Sequence, residues 1–396
     1  MQMPRVDWTP PVCIIRPVVC LGIAGLNCSS RRNSAGDNRR RDSQLRIVAT
    51  MKQIQLTRQR ARVGVLFSTM ALVFTTPSSA QDQGPASFYS GNKMAMVVGS
   101  SVGGGYDSYG RIVARFIGNH IPGKPSVTVR NMPGAGSLTS VLYVATSAPR
   151  DGTVIGHFNP GIITDAISRP DRAKIKFTDL AWIGSATDSF RMCNVWHGSG
   201  LKTYEDLKGS RVVTFGASGV GSGGYNDVAI LKNLMQLNVR PILGYPGRAE
   251  VHLAMERGEV DGECGTADGM PESWITDKKV ITVLKTAPGE GYGIPPGTTW
   301  LGDHLKSAED LAVLTFLTAA NQIGRPFIAS RDVPVDRLSI LRTAFDATMK
   351  DKEFLAQAET QKLPINPSSG AQAEKIVAEI YKTPTVVAAR ANELIK

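Results

Sequence analysis

The residues with the clearest chemical potential are three glycines, Gly103–Gly105, that follow a short apolar run, Met94–Val98. Such a run is typical of a buried strand, and glycines let a ligand approach the bare backbone closely. Asp107 then begins a segment with apolar residues at helical spacing. The first turn of a helix there directs unpaired backbone N–H groups and the positive end of its dipole toward the glycines. This arrangement favours binding of an anion such as a carboxylate or a phosphate.

The same pattern recurs twice along the chain. A second apolar run, Val127–Arg130, leads into the loop Asn131–Ser137, and a third, Arg211–Phe215, leads into Gly216–Gly224. Apolar residues at three-and-four spacing follow both loops. Three such strand, loop and helix units predict an α/β protein whose ligand lies at the carboxyl ends of parallel strands.

The chain must cross between two folding units to bring these loops together. We predict a first lobe from residues 90–190, a second from 191–312, and a return to the first lobe over 313–396. Cys193–His197 marks the first crossing and Leu311–Leu317 the return. Each lobe is expected to be a mostly parallel sheet flanked by helices, with a ligand cleft between the lobes.

The net charge of +11 suggests a nucleic-acid partner, but its distribution argues otherwise. Residues 1–80 hold 12 of the 45 basic and 3 of the 34 acidic side chains, which leaves 33 basic against 31 acidic in the remainder. No basic stripe is left to follow a phosphate backbone. Nucleic-acid binding is therefore not expected.

The early basic residues belong to an export signal. Met51–Arg62 is a basic segment, Val63–Phe74 is an apolar core too short to span a membrane, and Pro77–Ala80 supplies small residues. We expect cleavage after Ala80 and a periplasmic protein without a lipid anchor, because the next residue is Gln81. Residues 1–50 are interpreted as a misassigned upstream extension, with a disordered extension as the alternative.

Cysteine usage fits export. Three of the five cysteines precede the cleavage site, which leaves Cys193 and Cys264 in the mature chain. Two cysteines in an exported protein predict a disulfide, although two buried free thiols are the alternative. No C-x-x-C motif is present, and the five histidines lack metal-ligand spacing, so neither a metal nor a cofactor is expected.

Six motifs in order resemble those of one family: Gly103–Arg111, Asn131–Gly136, Pro149–Thr153, Ala217–Gly221, Gly244–Ala249 and Arg257–Gly262. The chain is similar over residues 90–396 to the tripartite tricarboxylate transporter solute receptors, the Bug-type periplasmic binding proteins. The resemblance implies a monomeric two-lobed Venus-flytrap receptor, not an enzyme. Such a receptor captures a small carboxylate and delivers it to membrane permease subunits.

The resemblance also implies that the ligand is held mainly by backbone amides of both lobes. Together with the glycine loops, it predicts these ligand-binding residues: Gly103, Gly104, Gly105, Tyr106, Asp107, Asn131, Gly134, Ala135, Gly136, Ser137, Asn159, Ser218, Gly219, Gly221, Ser222, Thr266 and Asp268. A carboxylate repels an anion, so Asp107 is expected to fix its loop rather than touch the ligand. Arg111 and Arg248 are possible partners of a ligand carboxylate, and Arg111 is more typical of a structural ion pair.

Two segments depart from the commoner family pattern and leave the ligand open. Gly244–Arg248 replaces the usual turn, and Cys264–Asp268 replaces a loop that often carries asparagine. Di- or tricarboxylates, amino acids and aromatic acids all remain candidates.

Two enzyme classes are the alternatives to a receptor. Gly219, Gly221 and Gly224 match a dinucleotide-binding G-x-G-x-x-G motif, but the next predicted strand ends without the acidic residue that binds the ribose. An exported hydrolase needs G-x-S-x-G around Ser218, and Val220 occupies the last glycine position. Because both enzyme motifs are incomplete, the sequence favours a receptor over either enzyme class.

Overall fold

The computed structural model describes residues 85–395. The predicted signal segment, its cleavage site and the upstream extension lie outside the described residues. Within residues 85–395, no helix has the length and apolar character needed to cross a membrane.

Strands of two sheets alternate with helices along the described chain. The strands are β1 Lys93–Val98, β2 Ser126–Asn131, β3 Val154–His157, β4 Leu180–Ser185, β5 Arg191–Trp196, β6 Val213–Gly216, β7 Val239–Ile242, β8 Gly262–Thr266, β9 Val280–Lys285, β10 Pro326–Ser330 and β11 Ser368–Ser369. The helices are α1 Pro85–Phe88, α2 Gly105–His120, α3 Leu138–Leu142, α4 Gly161–Ser168, α5 Pro170–Ala173, α6 Gly223–Ala229, α7 Arg248–Glu256, α8 Glu272–Thr276, α9 Ala308–Thr318, α10 Val335–Thr348, α11 Lys352–Thr360, α12 Gly370–Ile380 and α13 Thr385–Leu394.

The first lobe is built on a six-stranded sheet in the order β11-β4-β10-β3-β1-β2, and the second on a five-stranded sheet in the order β7-β6-β8-β5-β9. Strands β1 and β4 are almost continuously apolar and are buried over most of their length. Helix α2 buries Tyr109, Val113 and Ile117 in the core of this lobe. The two-lobed α/β class predicted from the sequence is confirmed.

Most strands of each sheet run in one direction, as expected, and a few antiparallel strands make both sheets mixed. Strand β5 runs antiparallel to β8 and β9, and β10 runs antiparallel to β3 and β4. Strand β5 is the first strand after the chain leaves the first lobe, and β10 is the first strand after it returns. The predicted return segment, Leu311–Leu317, lies in helix α9, which packs against helix α4 of the first lobe. A chain that enters from the cleft must run away from it, opposite to strands whose carboxyl ends face the cleft. The first residues of the crossing strands therefore lie at the cleft.

Candidate functional site

A cavity of about 80 Å³ lies between the two lobes. It has room for several water-sized groups, which suits a small ligand. Glycine loops from both sheets form much of its wall, joined by three arginines and one glutamate. Its lining residues are Gly99, Ser100, Gly104, Gly105, Tyr106, Gly134, Gly136, Ser137, Asn159, Arg191, Gly216, Ala217, Ser218, Ser222, Gly224, Pro246, Gly247, Arg248, Val251, Glu263, Cys264, Gly265, Thr266 and Arg325.

The first glycine loop presents the start of helix α2 to the cavity. Gly104 is the N-cap residue, and no side chain caps this helix end. Behind the loop, the Gly103 N–H donates to Asp107 Oδ2 at 2.9 Å, and Asp107 also accepts from Arg111 Nε at 2.8 Å. Arg111 further donates to Asn131 Oδ1 at 3.0 Å. Asp107, Arg111 and Asn131 therefore hold the loop in place, and none of them lines the cavity.

The second glycine loop has a left-handed backbone over several consecutive residues. Gly134, Ala135, Gly136 and Ser137 all have positive φ values, of 137°, 47°, 67° and 87°. Ser137 Oγ donates to the Gly99 carbonyl at 2.8 Å and accepts from the Asn159 N–H at 3.1 Å. This strained turn ties together the backbone after β1 and after β3, and so places Asn159 at the cavity.

The third glycine loop meets the first lobe directly. Ser222 caps helix α6 by accepting from the Tyr225 N–H at 3.2 Å. A Cβ atom on Gly136 would lie 2.8 Å from the Ser222 nitrogen, and one on Gly161 would lie 2.8 Å from the Gly223 nitrogen. Real Cβ atoms do not approach backbone this closely, so these glycines let the two lobes close against each other.

Each arginine of the cavity wall has a carboxylate partner. Arg191 Nη2 lies 2.6 Å from Asp227 Oδ2, and Arg248 Nε donates to Glu263 Oε2 at 2.7 Å. Burial raises the pKa of Asp227, but a neutral acid there would leave the Arg191 guanidinium as an unpaired buried charge, so the pair is ionised at neutral pH. For Glu263, burial raises the pKa, yet the Arg248 charge and hydrogen bonds outweigh it and the pKa is lowered.

The third arginine, Arg325, joins the lobes. It precedes β10 of the first lobe and is 2 % exposed, and its Nη2 contacts Asp268 Oδ2 and Thr266 Oγ1 of the second lobe. The guanidinium lies 4.5 Å from the centre of the Tyr106 ring and 5.1 Å from that of Tyr109. Burial by itself raises the pKa of Asp268, but the Arg325 charge and the hydrogen bonds outweigh this effect. The pKa is therefore lowered, and the carboxylate stays ionised.

The predicted ligand-binding residues divide into two groups. The cavity wall contains Gly104, Gly105, Tyr106, Gly134, Gly136, Ser137, Asn159, Ser218, Ser222 and Thr266. Outside it lie Gly103, Asp107, Asn131, Ala135, Gly219, Gly221 and Asp268. Most of the second group support the wall from behind: Gly221 packs on the Asp165 carboxylate, for example, and Asp268 pairs with Arg325.

Sequence reasoning missed Arg191, Glu263 and Arg325, and it left Arg248 open. Arg191 begins β5 and Arg325 precedes β10, so both reach the cavity because the crossing strands start there. Glycine loops mark the carboxyl ends of parallel strands in the sequence, and no comparable pattern marks the amino ends of antiparallel strands. The crossing predicted at Cys193–His197 was the one sequence signal that pointed to Arg191.

A disulfide joins Cys193 of β5 to Cys264 of β8, which lie opposite each other in the second sheet, with Cys264 in the cavity wall. Because it closes a loop of 71 residues, we expect reduction to lower the free energy of unfolding by about 4 kcal/mol in the chain-entropy description. The measurement is urea unfolding with and without reductant. A thiol assay on denatured, unreduced chain starting at Gln81 should find no free thiol, and two thiols per chain would contradict the pairing.

Buried His157 gives the fold an acid sensitivity. Burial lowers its pKa to about 3, although its Nδ1 lies 2.8 Å from the Pro326 carbonyl oxygen. The His157 side chain takes up a proton near pH 6.5 in the unfolded chain but not in the folded chain. The contribution of this group to the free energy of unfolding is therefore fully present above that pH. It falls by up to about 1.4 kcal/mol per pH unit below it. Urea unfolding between pH 7 and 4.5 should show a shallower decline for His157→Gln than for wild type, whereas the exposed control His197→Gln should keep the wild-type slope.

Within residues 85–395, no group of three or more histidine, cysteine, aspartate or glutamate side chains is arranged to hold a metal ion.

No protein-family model matches the chain, and no curated protein matches it. Several solved structures are similar to the chain. The periplasmic binding protein BugD is similar with a TM-score of 0.61 at 18 % identity, over 76 % of this chain and 97 % of BugD. The MatC protein of Rhodopseudomonas palustris, solved with malate, has a TM-score of 0.60 at 15 % identity over 77 % of this chain and 99 % of that one.

A second R. palustris protein, solved with adipate, has a TM-score of 0.61 at 16 % identity over 76 % of this chain and 97 % of its own. These identities establish a shared fold, and the resemblance to Bug-type receptors predicted from the sequence is confirmed at that level.

Proposed function

We propose that this protein is a periplasmic solute receptor that binds a small carboxylate between its lobes and passes it to the membrane subunits of a tripartite tricarboxylate-type transporter. The observation that carries the proposal is the cavity between two lobes closed on glycine backbone, with wall residues from both. Neighbours of the same fold are named periplasmic binding proteins, and two were solved with malate and adipate. The protein carries out no chemistry on its ligand.

Receptor function requires that the two lobes close around the bound ligand. Contacts between the lobes include Arg325 with Asp268, Ser101 Oγ with Glu250 Oε2 at 2.7 Å, and Arg172 Nη2 with the Val220 carbonyl at 2.8 Å. A ligand that bridges both lobes adds to these contacts only in the closed form, so binding favours closure. A transporter subunit then distinguishes loaded from empty receptor by its shape.

The proposal is tested by thermal unfolding of the processed chain with a broad panel of carboxylic acids. A ligand at one hundred times its dissociation constant stabilises the folded state by about 2.7 kcal/mol, which raises the melting temperature by roughly 5 °C. Simple sugars are the controls and should give no shift. If no acid in the panel gives a shift, or if the protein hydrolyses supplied esters, the receptor function is wrong.

Export is tested separately. We expect the mature protein in the periplasmic fraction to begin at Gln81, since the residues before it combine a basic segment, an apolar core and small residues. Intact-mass measurement of that fraction gives the result directly. Retention of residues 1–50 in the mature chain would contradict both the cleavage site and the upstream-extension interpretation.

A further inference from the structure

The charges around the cavity cancel, and this limits which acid the site can hold. Arg191, Arg248 and Arg325 supply three positive charges to the wall. Asp227, Glu263 and Asp268 each pair with one of them. All six side chains are at most 16 % exposed, so water does little to screen or replace these partners. The side chains of the wall therefore contribute no net charge for a ligand to neutralise.

Two groups of charges just outside the wall largely offset each other. Glu250 adds a negative charge at the rim, where it accepts from Ser101. Behind the third glycine loop, Asp165 pairs with both Arg169 and Arg172, which leaves one positive charge in excess. These two contributions have opposite signs, and Arg172 is 32 % exposed and thus partly screened by solvent.

The remaining positive potential at the cavity comes from the backbone, at the N-terminal ends of two helices. Helix α2 begins after Gly104 and helix α7 begins after Gly247; both glycines line the cavity, from opposite lobes, and neither helix has a side-chain cap. Each helix N-terminus is equivalent to about half an elementary positive charge, so together they match about one carboxylate. The cavity wall also holds an unsatisfied donor: buried Arg325 Nε has no hydrogen-bond partner among the described residues.

We propose that the site selects acids with a single carboxylate, and that an otherwise similar dicarboxylate or tricarboxylate binds more weakly. This inference rests on the proposed receptor function and names its ligand class. A first carboxylate is held between two helix ends of opposite lobes. A second one would enter a buried wall whose arginines already have counter-ions, and burial of an uncompensated charge is strongly unfavourable.

The rest of the cavity wall suits a ligand whose remaining atoms, apart from the one carboxylate, carry no charge. Val251, Ala217 and Pro246 give it apolar surface, and Ser218 and Asn159 give it neutral hydrogen-bonding groups. The inferred preference also separates this chain from the neighbours solved with malate and adipate, which are dicarboxylates.

The test compares ligands that differ by one charge and little else. Isothermal titration at pH 7 and fixed ionic strength is carried out with succinate and its monoamide succinamate, and with adipate and its monoamide. We expect each monoamide to bind at least tenfold more tightly than its dicarboxylate. Equal or tighter binding of the dicarboxylate overturns the inference and leaves the receptor function standing. If neither these four compounds nor the broad acid panel binds, the receptor function fails, and the inference with it.

A variant tests the physical cause. Glu263→Gln keeps the side-chain shape but leaves Arg248 without a counter-ion, so the ratio of monoamide to dicarboxylate affinity should move about tenfold toward the dicarboxylate. The control is Glu374→Gln on helix α12, which removes the carboxylate partner of Arg342 on helix α10. Neither residue lies in the cavity wall, so this variant should keep the wild-type affinity ratio. Circular dichroism establishes that both variants are folded. A folded Glu263→Gln protein with the wild-type ratio overturns the charge-balance explanation.

Discussion

Replacing Gly161 with alanine is expected to weaken ligand binding about 5- to 150-fold while leaving the fold intact. The new Cβ atom would lie 2.8 Å from the nitrogen and 3.0 Å from the Cα of Gly223 in the other lobe. Both are backbone atoms, so the contact is relieved only by moving the lobes apart. Overpacking of this kind costs about 1–3 kcal/mol, and here it opposes the closed form alone.

Gly161 suits this test for two reasons. It begins helix α4 with ordinary helical backbone, so alanine adds no backbone strain, and it does not line the cavity. The control is Gly198→Ala, in a short helical turn of the second lobe, where the nearest atom to a new Cβ is a tryptophan side-chain carbon at 3.4 Å. Isothermal titration with the ligand found in the acid panel measures both. Wild-type affinity in Gly161→Ala would mean that the bound form does not close onto Gly223.

Removing the charge of Arg191 is expected to lower the free energy of unfolding by about 3–5 kcal/mol. Arg191→Met leaves the Asp227 carboxylate buried without its counter-ion, and it also removes the hydrogen bond to the Cys264 carbonyl. The double variant with Asp227→Leu removes both charges and should recover most of the loss. Urea unfolding without ligand gives both values.

An exposed arginine provides the comparison. Arg211 lies 2.9 Å from Asp261 with its side chain 51 % exposed, so Arg211→Met should change stability by no more than about 1 kcal/mol. Equal losses at the two positions would contradict the idea that burial makes the Arg191 pair important. A double variant no more stable than Arg191→Met would show that packing, and not charge, explains the effect.

The sequence predicted the fold well because the information is local. Short apolar runs fixed the positions of most strands, and glycines with serine or asparagine marked the loops between strand and helix. The three apolar runs before the glycine loops match strands to within about two residues, as for β6, expected at Arg211–Phe215 and found at Val213–Gly216. Two crossings between lobes were also expected, and they explain why the sheets are mixed.

The sequence by itself determined which loops turn toward the cleft, since a glycine loop and the helix after it are set by neighbouring residues. Only the tertiary structure decided which charges meet there. Arg191 pairs with Asp227 across 36 positions and Arg325 with Asp268 across 57, and no local pattern encodes such pairs. It was also tertiary packing that made Asn131 a support of the first glycine loop, where its Nδ2 donates to Asp107 Oδ1, whereas the loop-fixing role of Asp107 was expected from the sequence. Ion pairs depend on distance in space and on burial, and both are settled only when the two lobes fold and close.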